Sequence, residues 1–281
     1  MGLNRKYREK RKYVKERTGS VAKWMGLSDE GVRMYERYGL LHSDKDERNH
    51  YRTFDIMDMT MLLYGQVYCE SGFSLKETQK LTNGCTLGEI YKAYQDKYET
   101  QCKSLERELL RLRRVRQMVE DIGKIESMYG QCSVEIRPAM YRIEFMKKTQ
   151  TFGGKGRQSC VNRWMKEYLP FAMLSTRYYQ TTFEYPQEQM DASSGLGIYA
   201  EYAEMLGICE NEYITYHPPV QSVHTILSAT NEVLTPDVST CLEYIQANHL
   251  KICGDTISFG IVNTHFNEEF RRYYHIWVPV R

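Results

Sequence analysis

No apolar run in this sequence approaches the ~20 residues that a membrane-spanning helix needs. The N-terminal segment MGLNRKYREKRKY is basic, but no apolar stretch follows it, so it is unlike a secretory signal peptide. From these two absences we expect a protein of the cytoplasm that has no membrane partner.

The sequence also lacks the motifs of metal sites and of common catalytic centres. None of its eight cysteines forms a Cys-x-x-Cys pair or has a histidine at zinc spacing. It contains no nucleophile motif, phosphate-binding loop or dinucleotide-binding loop. We therefore expect no metal, no cofactor and no enzymatic activity, and we expect reduced, unpaired thiols.

Charge is distributed unevenly along the chain. Its 281 residues suit two domains, and its formal net charge is only +2. Residues 1–128 nevertheless carry a net charge of +5 and residues 129–281 carry −3, while the first 17 residues hold eight basic and two acidic side chains. This asymmetry indicates nucleic acid or another acidic partner at one end, although a solvated basic tail would have the same composition.

Two short helical patterns follow the basic tail. The first ends at Gly26, and the second begins after the capping residue Ser28 and ends at Gly39. Two short helices joined by a glycine-containing turn predict a helix-turn-helix. The polar, turn-rich residues 40–52 predict a small β-hairpin, or wing, directly after it. The capping box Ser74-x-x-Glu77 opens a further short helix.

A second capping box, Thr86-x-x-Glu89, opens the longest helical pattern in the chain. The apolar residues that recur in it every seven positions are Tyr91, Tyr98, Leu105, Leu112 and Val119. Cys102 and Leu109 occupy the intervening position, where Arg116 interrupts the series. About 40 residues predict a helix ~60 Å long, which must bury its apolar stripe on another helix. We favour self-association over the alternative that this helix packs on the C-terminal part of its own chain.

Residues 131–281 combine strand and helix patterns. Predicted strands lie at 133–146, 176–185, 196–206, 213–216, 222–227 and 273–280. Two amphipathic helices are predicted among them, one over 161–169 and one that opens at 235–236. The whole chain is thus predicted to be a multidomain α and α+β protein. Its predicted parts are a basic extension (1–17), a winged helix-turn-helix (18–85), a dimerisation helix (86–130) and an α+β domain (131–281).

Residues 18–82 resemble the DNA-binding domain of the MerR family of transcriptional regulators. The residues that carry the resemblance are Val21-Ala22, Gly26-Leu27-Ser28, the run from Val32 to Leu41, Asn49-His50-Tyr51-Arg52 and Gly72-Phe73-Ser74-Leu75-x-Glu77. The long helix stands where this family has its dimerisation helix, which implies an antiparallel coiled coil. The remaining residues more weakly resemble the GyrI-like effector-binding domain of drug-sensing members, through Tyr244-Ile245-x-x-Asn248, Ile252-Cys253-Gly254-Asp255 and Val278-Pro279-Val280.

The resemblance implies a homodimer that binds a near-palindromic promoter. In this family the activated dimer bends and untwists an overlong spacer between the two elements that RNA polymerase recognises. The partners implied are therefore double-stranded promoter DNA, a second copy of the chain, RNA polymerase and a small effector.

The predicted DNA contacts lie on the second helix and in the wing. Arg33 and Arg37 are four residues apart, so they share one helix face that can reach phosphates or base edges. Tyr35 offers a hydroxyl and a flat ring, while Arg48, Tyr51 and Arg52 belong to the wing. By resemblance, Arg33, Tyr35, Tyr51 and Arg52 match positions where the family contacts DNA. The alternative for the two tyrosines is packing in the domain core.

The predicted effector contacts are mostly aromatic and suit a small aromatic or hydrophobic molecule. They are Tyr141, Glu144, Tyr199, Glu201, Tyr273, His275 and Trp277. By resemblance, His275 stands where drug-sensing members often carry a glutamate that attracts cationic drugs. Because an imidazole cannot supply that negative charge, a preference for cations is in doubt unless Glu144 or Glu201 provides it.

Three alternatives remain open on the sequence. A GyrI-like hydrolase or drug-sequestering domain would use Glu144, Glu201 or His275 as acid and base. A metal-sensing member of the family would need cysteines near the end of the long helix, where only Cys132 lies. A regulator that binds DNA without any effector is the third.

Overall fold

The structure, a computed structural model, describes residues 14–46, 50–147, 150–180, 191–230, 238–266 and 269–281. The chain divides into two compact units, Met1–Leu105 and Glu106–Arg281. Among the residues described, no helix combines the length and the apolar composition needed to cross a lipid bilayer.

Unit 1 consists of short helices and a three-stranded antiparallel sheet. Its helices are α1 (Thr18–Trp24), α2 (Asp29–Arg37), α3 (Ile56–Glu70) and α4 (Leu75–Thr82). Its strands are β1 (Glu16–Arg17), β2 (Asp44–Lys45) and β3 (Arg52–Phe54), with β3 between the other two. The helix-turn-helix and the wing are therefore both present at the predicted places.

Side-chain caps start the helices of unit 1. The Ser28 hydroxyl accepts a hydrogen bond from the Gly31 amide at 3.0 Å, so the second helix begins where the sequence predicts. The predicted capping box at Ser74 and Glu77 is also present. The apolar sides of these helices meet in one core, formed by Val21, Ala22, Val32, Tyr35, Leu40, Leu41, Phe54 and Leu62.

The long helix α5 (Leu87–Met128) extends over most of the predicted range. The Thr86 hydroxyl accepts a hydrogen bond from the Glu89 amide at its start, and Gly130 has a positive φ of 69° just beyond its end. Its apolar stripe is exposed in the single chain and consists of Leu87, Tyr91, Tyr98, Leu105, Leu109, Leu112, Val115, Val119 and Ile122. Val115 and Ile122 alternate with Leu112 and Val119 at spacings of three and four, so they continue the seam beyond Arg116.

Unit 2 is built on a nine-stranded antiparallel sheet within the described residues. Its strands are β4 (Ser133–Arg137), β5 (Met140–Lys147), β6 (Gln150–Thr151), β7 (Met173–Tyr178), β8 (Ala192–Tyr199), β9 (Ile214–His217), β10 (Val220–Thr230), β11 (Thr256–Phe266) and β12 (Glu269–Pro279). The strand order is β4-β10-β12-β11-β7-β8-β5-β6, and β9 pairs with β5 on the side of this path. Its shorter helices are α6 (Lys155–Glu167), α7 (Ala200–Met205) and α8 (Ser239–Ala247).

Two predictions for unit 2 need correction. The strand predicted over 196–206 ends at Tyr199, and Ala200–Met205 forms helix α7. Alanine, glutamate and methionine favour helix there, and Tyr202 and Ala203 bury one side of the turn. Strand β11 was not predicted, because its polar residues conceal the alternation that marks a strand. The predicted strand end at 181–185 and the helix opening at 235–236 lie outside the described residues.

The two faces of the unit 2 sheet are covered by different helices. The second part of α5 packs on the face that carries Tyr199, Phe259 and His275, which we call the α5 face. Helices α6 and α7 cover the opposite face at β5 and β8, and α8 covers it at β10 and β12. Both faces of the sheet thus pack against helices, at the strands named.

Gly195 gives a test of the strand packing. A Cβ atom at this position would lie 2.1 Å from the Ile143 carbonyl oxygen, beside the bulge in β5. We expect Gly195→Ala to destabilise unit 2 by about 2–3 kcal/mol, since backbone atoms would have to move. Urea unfolding of the full chain measures this. Gly153→Ala is the control, because a Cβ there meets open space, and an equal loss in both variants would contradict the explanation.

Candidate functional site

Helix α2 presents two arginines on one exposed face. The side chains of Arg33 and Arg37 are 51% and 62% exposed. Both contact Glu30, with Arg37 Nη1 at 2.7 Å and Arg33 Nη1 at 3.9 Å from its carboxylate oxygens. The hydrogen bond and charge of Arg37 lower the pKa of Glu30. These exposed ion pairs hold the guanidinium groups weakly, so a phosphate or base edge can compete for them.

The wing adds further cationic and aromatic groups beside β3. Arg52 Nε lies 3.1 Å from Glu36 Oε2, an ion pair that links the wing to α2. The Tyr51 side chain is 59% exposed, and the Arg17 guanidinium lies 5.3 Å from the centre of its ring. Both predicted wing residues are therefore accessible, whereas Arg48 lies outside the described residues.

Tyr35 does not share this exposed surface. Only 6% of the residue is accessible, and its ring packs against the α3 backbone at Gly65. Burial and a hydrogen bond with Cys69 raise the pKa of Tyr35 to about 12. The prediction that Tyr35 contacts DNA is corrected accordingly: its ring belongs to the core, because it points along the buried side of α2 with Val32.

Two further exposed or wing residues of unit 1, Arg17 and Trp24, were not singled out from the sequence. Arg17 pairs with Thr53 in the wing sheet, so the end of the basic tail is part of the folded domain. Trp24 ends α1 with 75% of its surface exposed. The basic composition of residues 1–17 could have indicated a role for Arg17 in binding DNA. A single tryptophan in the sequence gives no such indication.

The α5 face of unit 2 brings together a histidine pair and a tryptophan. His224 Nε2 and His275 Nδ1 are 2.9 Å apart, and both rings stack on Trp277 with centroids 5.2 and 5.1 Å away. His275 Nε2 faces Asp121 Oδ1 of α5 at 3.5 Å. His224 Nδ1 lies 3.2 Å from Glu135 Oε2 without good hydrogen-bond geometry. His275 and Trp277 are only 6% and 3% exposed, so α5 covers them.

Burial determines the charge of the His224 imidazole. Desolvation, followed by the neighbouring His275, lowers the pKa of His224 to about 4, and the Glu135 carboxylate only partly offsets this. The His224 imidazole is therefore neutral at pH 7.

Glu144 lies on the same face, in a network of buried polar groups. Ser193 Oγ donates to Glu144 Oε1 at 2.6 Å, and Arg142 Nη1 lies at 3.2 Å from the same oxygen. Burial raises the pKa of Glu144, but the Ser193 hydrogen bond and the charges of Arg142 and Arg177 outweigh it and leave the pKa lowered. Glu144 is thus an ionised carboxylate whose charge is already balanced.

The remaining predicted effector residues are not gathered in one place. Tyr199 is buried on the α5 face, where its ring stacks on Phe259 at 4.4 Å, and Tyr273 contacts Tyr129 at 6.3 Å on the same face. Tyr141 lies on the opposite face beside Tyr216, and Glu201 is exposed on α7. The seven predicted effector residues therefore do not all lie on the α5 face: Tyr141 is on the opposite face of the sheet, and Glu201 is exposed on α7.

The described residues show no metal site. The described residues contain no group of three or more histidine, cysteine, aspartate or glutamate side chains placed to hold a metal ion. Cys132 contacts Cys241, but two thiols alone fall short of the three or four protein ligands typical of zinc sites.

Comparisons with known proteins give the family of the N-terminal part. Residues 17–85 match the family model described as "MerR HTH family regulatory protein". The mercuric resistance operon regulatory protein of Bacillus cereus is 28% identical over 116 residues, which is 41% of this chain and 80% of that protein.

Two solved structures are similar at lower identity. A cryo-EM structure of an EcmrR–DNA complex in EcmrR-RPo is 16% identical, covering 95% of this chain and 99% of that one with a TM-score of 0.35. HiNmlR, a MerR family regulator that lacks the sensor domain and is bound to promoter DNA, is 23% identical, covering 41% and 95% with a TM-score of 0.32. Both TM-scores lie below the range that indicates a shared overall fold.

The helix-turn-helix, the wing with its exposed arginines and the match over residues 17–85 lead to one assignment. The chain is a DNA-binding transcription regulator whose residues 17–85 match the MerR helix-turn-helix family.

Proposed function

We propose that the protein acts as a homodimer that binds promoter DNA through unit 1 and responds to a small effector bound by unit 2. The observation that carries the DNA part is the exposed row of arginines on α2 and the wing. Arg33 and Arg37 enter the major groove on α2, as the second helix of a helix-turn-helix does. Arg52, Tyr51 and Arg17 contact the backbone from the wing.

The exposed stripe of α5 supports the proposal of a dimer. Leu105, Leu112 and Val119 are 62%, 65% and 65% exposed, which is costly for a row of large apolar side chains in water. A second α5 would cover this stripe and form the two-stranded coiled coil. Two copies place two recognition helices on a near-palindromic site, and promoter distortion and contact with RNA polymerase belong to the same proposal.

The α5 face supports an effector site that communicates with DNA. Leu110 and Arg114 of α5 are buried against this face, where Arg114 lies 6.0 Å from the Tyr199 ring. A ligand that stacked on Trp277 would compete with α5 for the face. Uncovering Leu110 costs about 2 kcal/mol, which the affinity of a small aromatic molecule can offset. Because the first part of α5 belongs to unit 1, a displacement of α5 would be transmitted along the helix to the DNA-binding part. The ligand shifts the equilibrium between the two states only if it binds one of them more tightly than the other.

The charge of the α5 face argues against cations as the preferred effectors. His275 replaces the pocket glutamate implied by resemblance, and Glu144 is already paired with two arginines. We therefore propose a neutral aromatic or hydrophobic effector for a GyrI-like unit 2. Since promoter DNA lies in the bacterial cytoplasm, the protein would work there.

The alternatives have less support. A hydrolase needs a carboxyl group that holds a proton near neutral pH, whereas the pKa of Glu144 is lowered and Glu201 is exposed to solvent on α7. A metal sensor needs ligands beyond the Cys132 and Cys241 pair. A regulator without an effector would show the same affinity for its operator with every compound tried.

The DNA interface can be tested with operator sequences selected from random DNA by the full-length protein. We expect Arg33→Ala to weaken operator binding by about 1–3 kcal/mol if the guanidinium contacts a base edge. Tyr35→Phe should bind normally, because the buried ring keeps its packing. Fluorescence anisotropy at fixed salt gives both affinities. Arg163→Ala is the control, since Arg163 is an equally exposed arginine on α6. Full affinity in Arg33→Ala would remove α2 from the interface.

The proposed dimer can be tested by placing carboxylates in the apolar stripe of α5. We expect the double variant Leu105→Asp, Leu112→Asp to be monomeric in sedimentation analysis, because each carboxylate would be desolvated in the interface. The control is Lys103→Asp with Arg113→Asp, two exposed residues of α5 outside the stripe. A stripe variant that stays dimeric would place the interface elsewhere.

The buried imidazoles make stability depend on pH. The folded pKa of His224 is about 4, below the ordinary value of 6.5, so the unfolded chain binds more protons between these values. We expect unfolding free energy to fall by up to about 3 kcal/mol on this account as pH drops from 6.5 to 4. His217, whose pKa is lowered to about 3 mainly by burial, acts in the same direction. Urea titrations of His224→Gln should show a flatter pH profile, whereas the exposed His265→Gln should follow the wild type. Identical slopes in all three proteins would rule out this role.

A further inference from the structure

We propose that unit 2 holds a second binding site, on the sheet face opposite α5, for a small apolar molecule that carries a hydrogen-bond acceptor. The site is a cavity of about 500 Å³. It lies on a different side of the sheet from His275 and Trp277, so it is separate from the proposed effector residues and does not rest on them.

The cavity exists because the helices leave the central strands uncovered. α6 and α7 pack over β5 and β8, and α8 packs over β10 and β12. The cavity floor is formed by β7 and β11, where Gly260 has no side chain and β11 bulges between Gly260 and Val262. Its side wall is α6 with the segment that follows this helix.

The lining is almost entirely apolar. Its apolar residues are Phe145, Val161, Met165, Leu169, Ala172, Met173, Leu174, Leu196, Ile261 and Val262. Tyr274 and Asn263 are the polar side chains among the residues that line it. An apolar cavity of several hundred Å³ with few convergent polar groups has the form of a small-molecule site.

Tyr274 sets the hydrogen-bonding character of the occupant. The residue is 4% exposed, and the Arg272 side chain lies close to its hydroxyl. Burial raises the pKa of Tyr274, so the hydroxyl keeps its proton at neutral pH. Since a guanidinium group can only donate, the hydroxyl proton remains the group that Tyr274 can offer to an occupant. An occupant with a carbonyl or ether oxygen satisfies it.

The charge and the volume exclude two other occupants. None of the described residues that line the cavity carries a carboxylate, and the Arg272 guanidinium lies beside Tyr274, so these residues give a desolvated cation no counter-charge. A helical segment of a partner protein is ~10–12 Å wide with its side chains. Two turns of such a helix exceed the cavity, which favours a small molecule over a peptide.

The site can be tested with Nile red, a neutral apolar dye with a carbonyl acceptor, added to the full-length protein without DNA. We expect saturable binding with a fluorescence increase. Met165→Trp should weaken it at least tenfold, because the larger ring fills the cavity from the exposed wall of α6. Met205→Trp is the matched control, a methionine of α7 that is exposed and outside the lining. It should bind as the wild type does.

Displacement of Nile red by three naphthalenes of similar shape tests the chemistry. We expect 2-acetylnaphthalene to bind more tightly than 2-ethylnaphthalene, and 2-(aminomethyl)naphthalene, a cation at pH 7, to bind most weakly. In Tyr274→Phe the advantage of the acetyl compound, about threefold to tenfold for one hydrogen bond, should disappear. This readout stays informative if Met165→Trp does not fold, as judged by circular dichroism.

Three outcomes would overturn the proposal. The first is the absence of saturable Nile red binding to the wild type. The second is equal affinity in the folded Met165→Trp and Met205→Trp variants. The third is strongest displacement by the cationic naphthalene. Because DNA is absent throughout, none of them bears on operator binding by Arg33.

Discussion

The contact between the second part of α5 and the unit 2 sheet is the constraint on which the rest depends. Leu110 and Arg114 are buried on one side of the helix, and Asp121 reaches His275 from the same side. A buried guanidinium must keep its partners, which here are the Pro170 carbonyl and Gln117. The helix therefore cannot rotate about its axis, and this fixes the direction in which Leu112 and Val119 point. Packing within unit 2 thus determines which side of α5 is exposed.

The two faces of the sheet differ in chemistry, although both are buried. The α5 face contains a pair of imidazoles that contact each other and the network of Arg142 with Ser175 and Glu144. The opposite face is apolar, and its central strands are open to a cavity. Helix α5 covers polar and aromatic groups on one side, while α6 and α8 flank an apolar space on the other. The two faces of one domain thus differ in chemical character.

The helices were predicted from the sequence more accurately than the strands and the candidate site. Caps such as Ser28 and the pair Ser74 and Glu77 are local signals, and the structure shows them at the predicted positions. Strand β11 was missed because polar Thr256 and Ser258 are buried together with its apolar residues, so its sequence does not show the alternation that marks a strand. Tyr35 and Tyr199 illustrate the same limit: both are core residues, and only the packing of distant elements reveals this. The exposed Arg33 and Arg37 were predictable because they are polar positions on a helix whose apolar side, with Val32, is buried.

The placement of the three tryptophans divides the intrinsic fluorescence of the protein between its units. Trp24 of unit 1 is 75% exposed, so its emission should lie at long wavelength and respond to solvent. Trp164 and Trp277 of unit 2 are 1% and 3% exposed, and Trp277 is in van der Waals contact with two imidazoles. Emission at longer wavelengths therefore reports on the helix-turn-helix, and emission at shorter wavelengths reports on the sheet. The chain carries its own spectroscopic labels for each half.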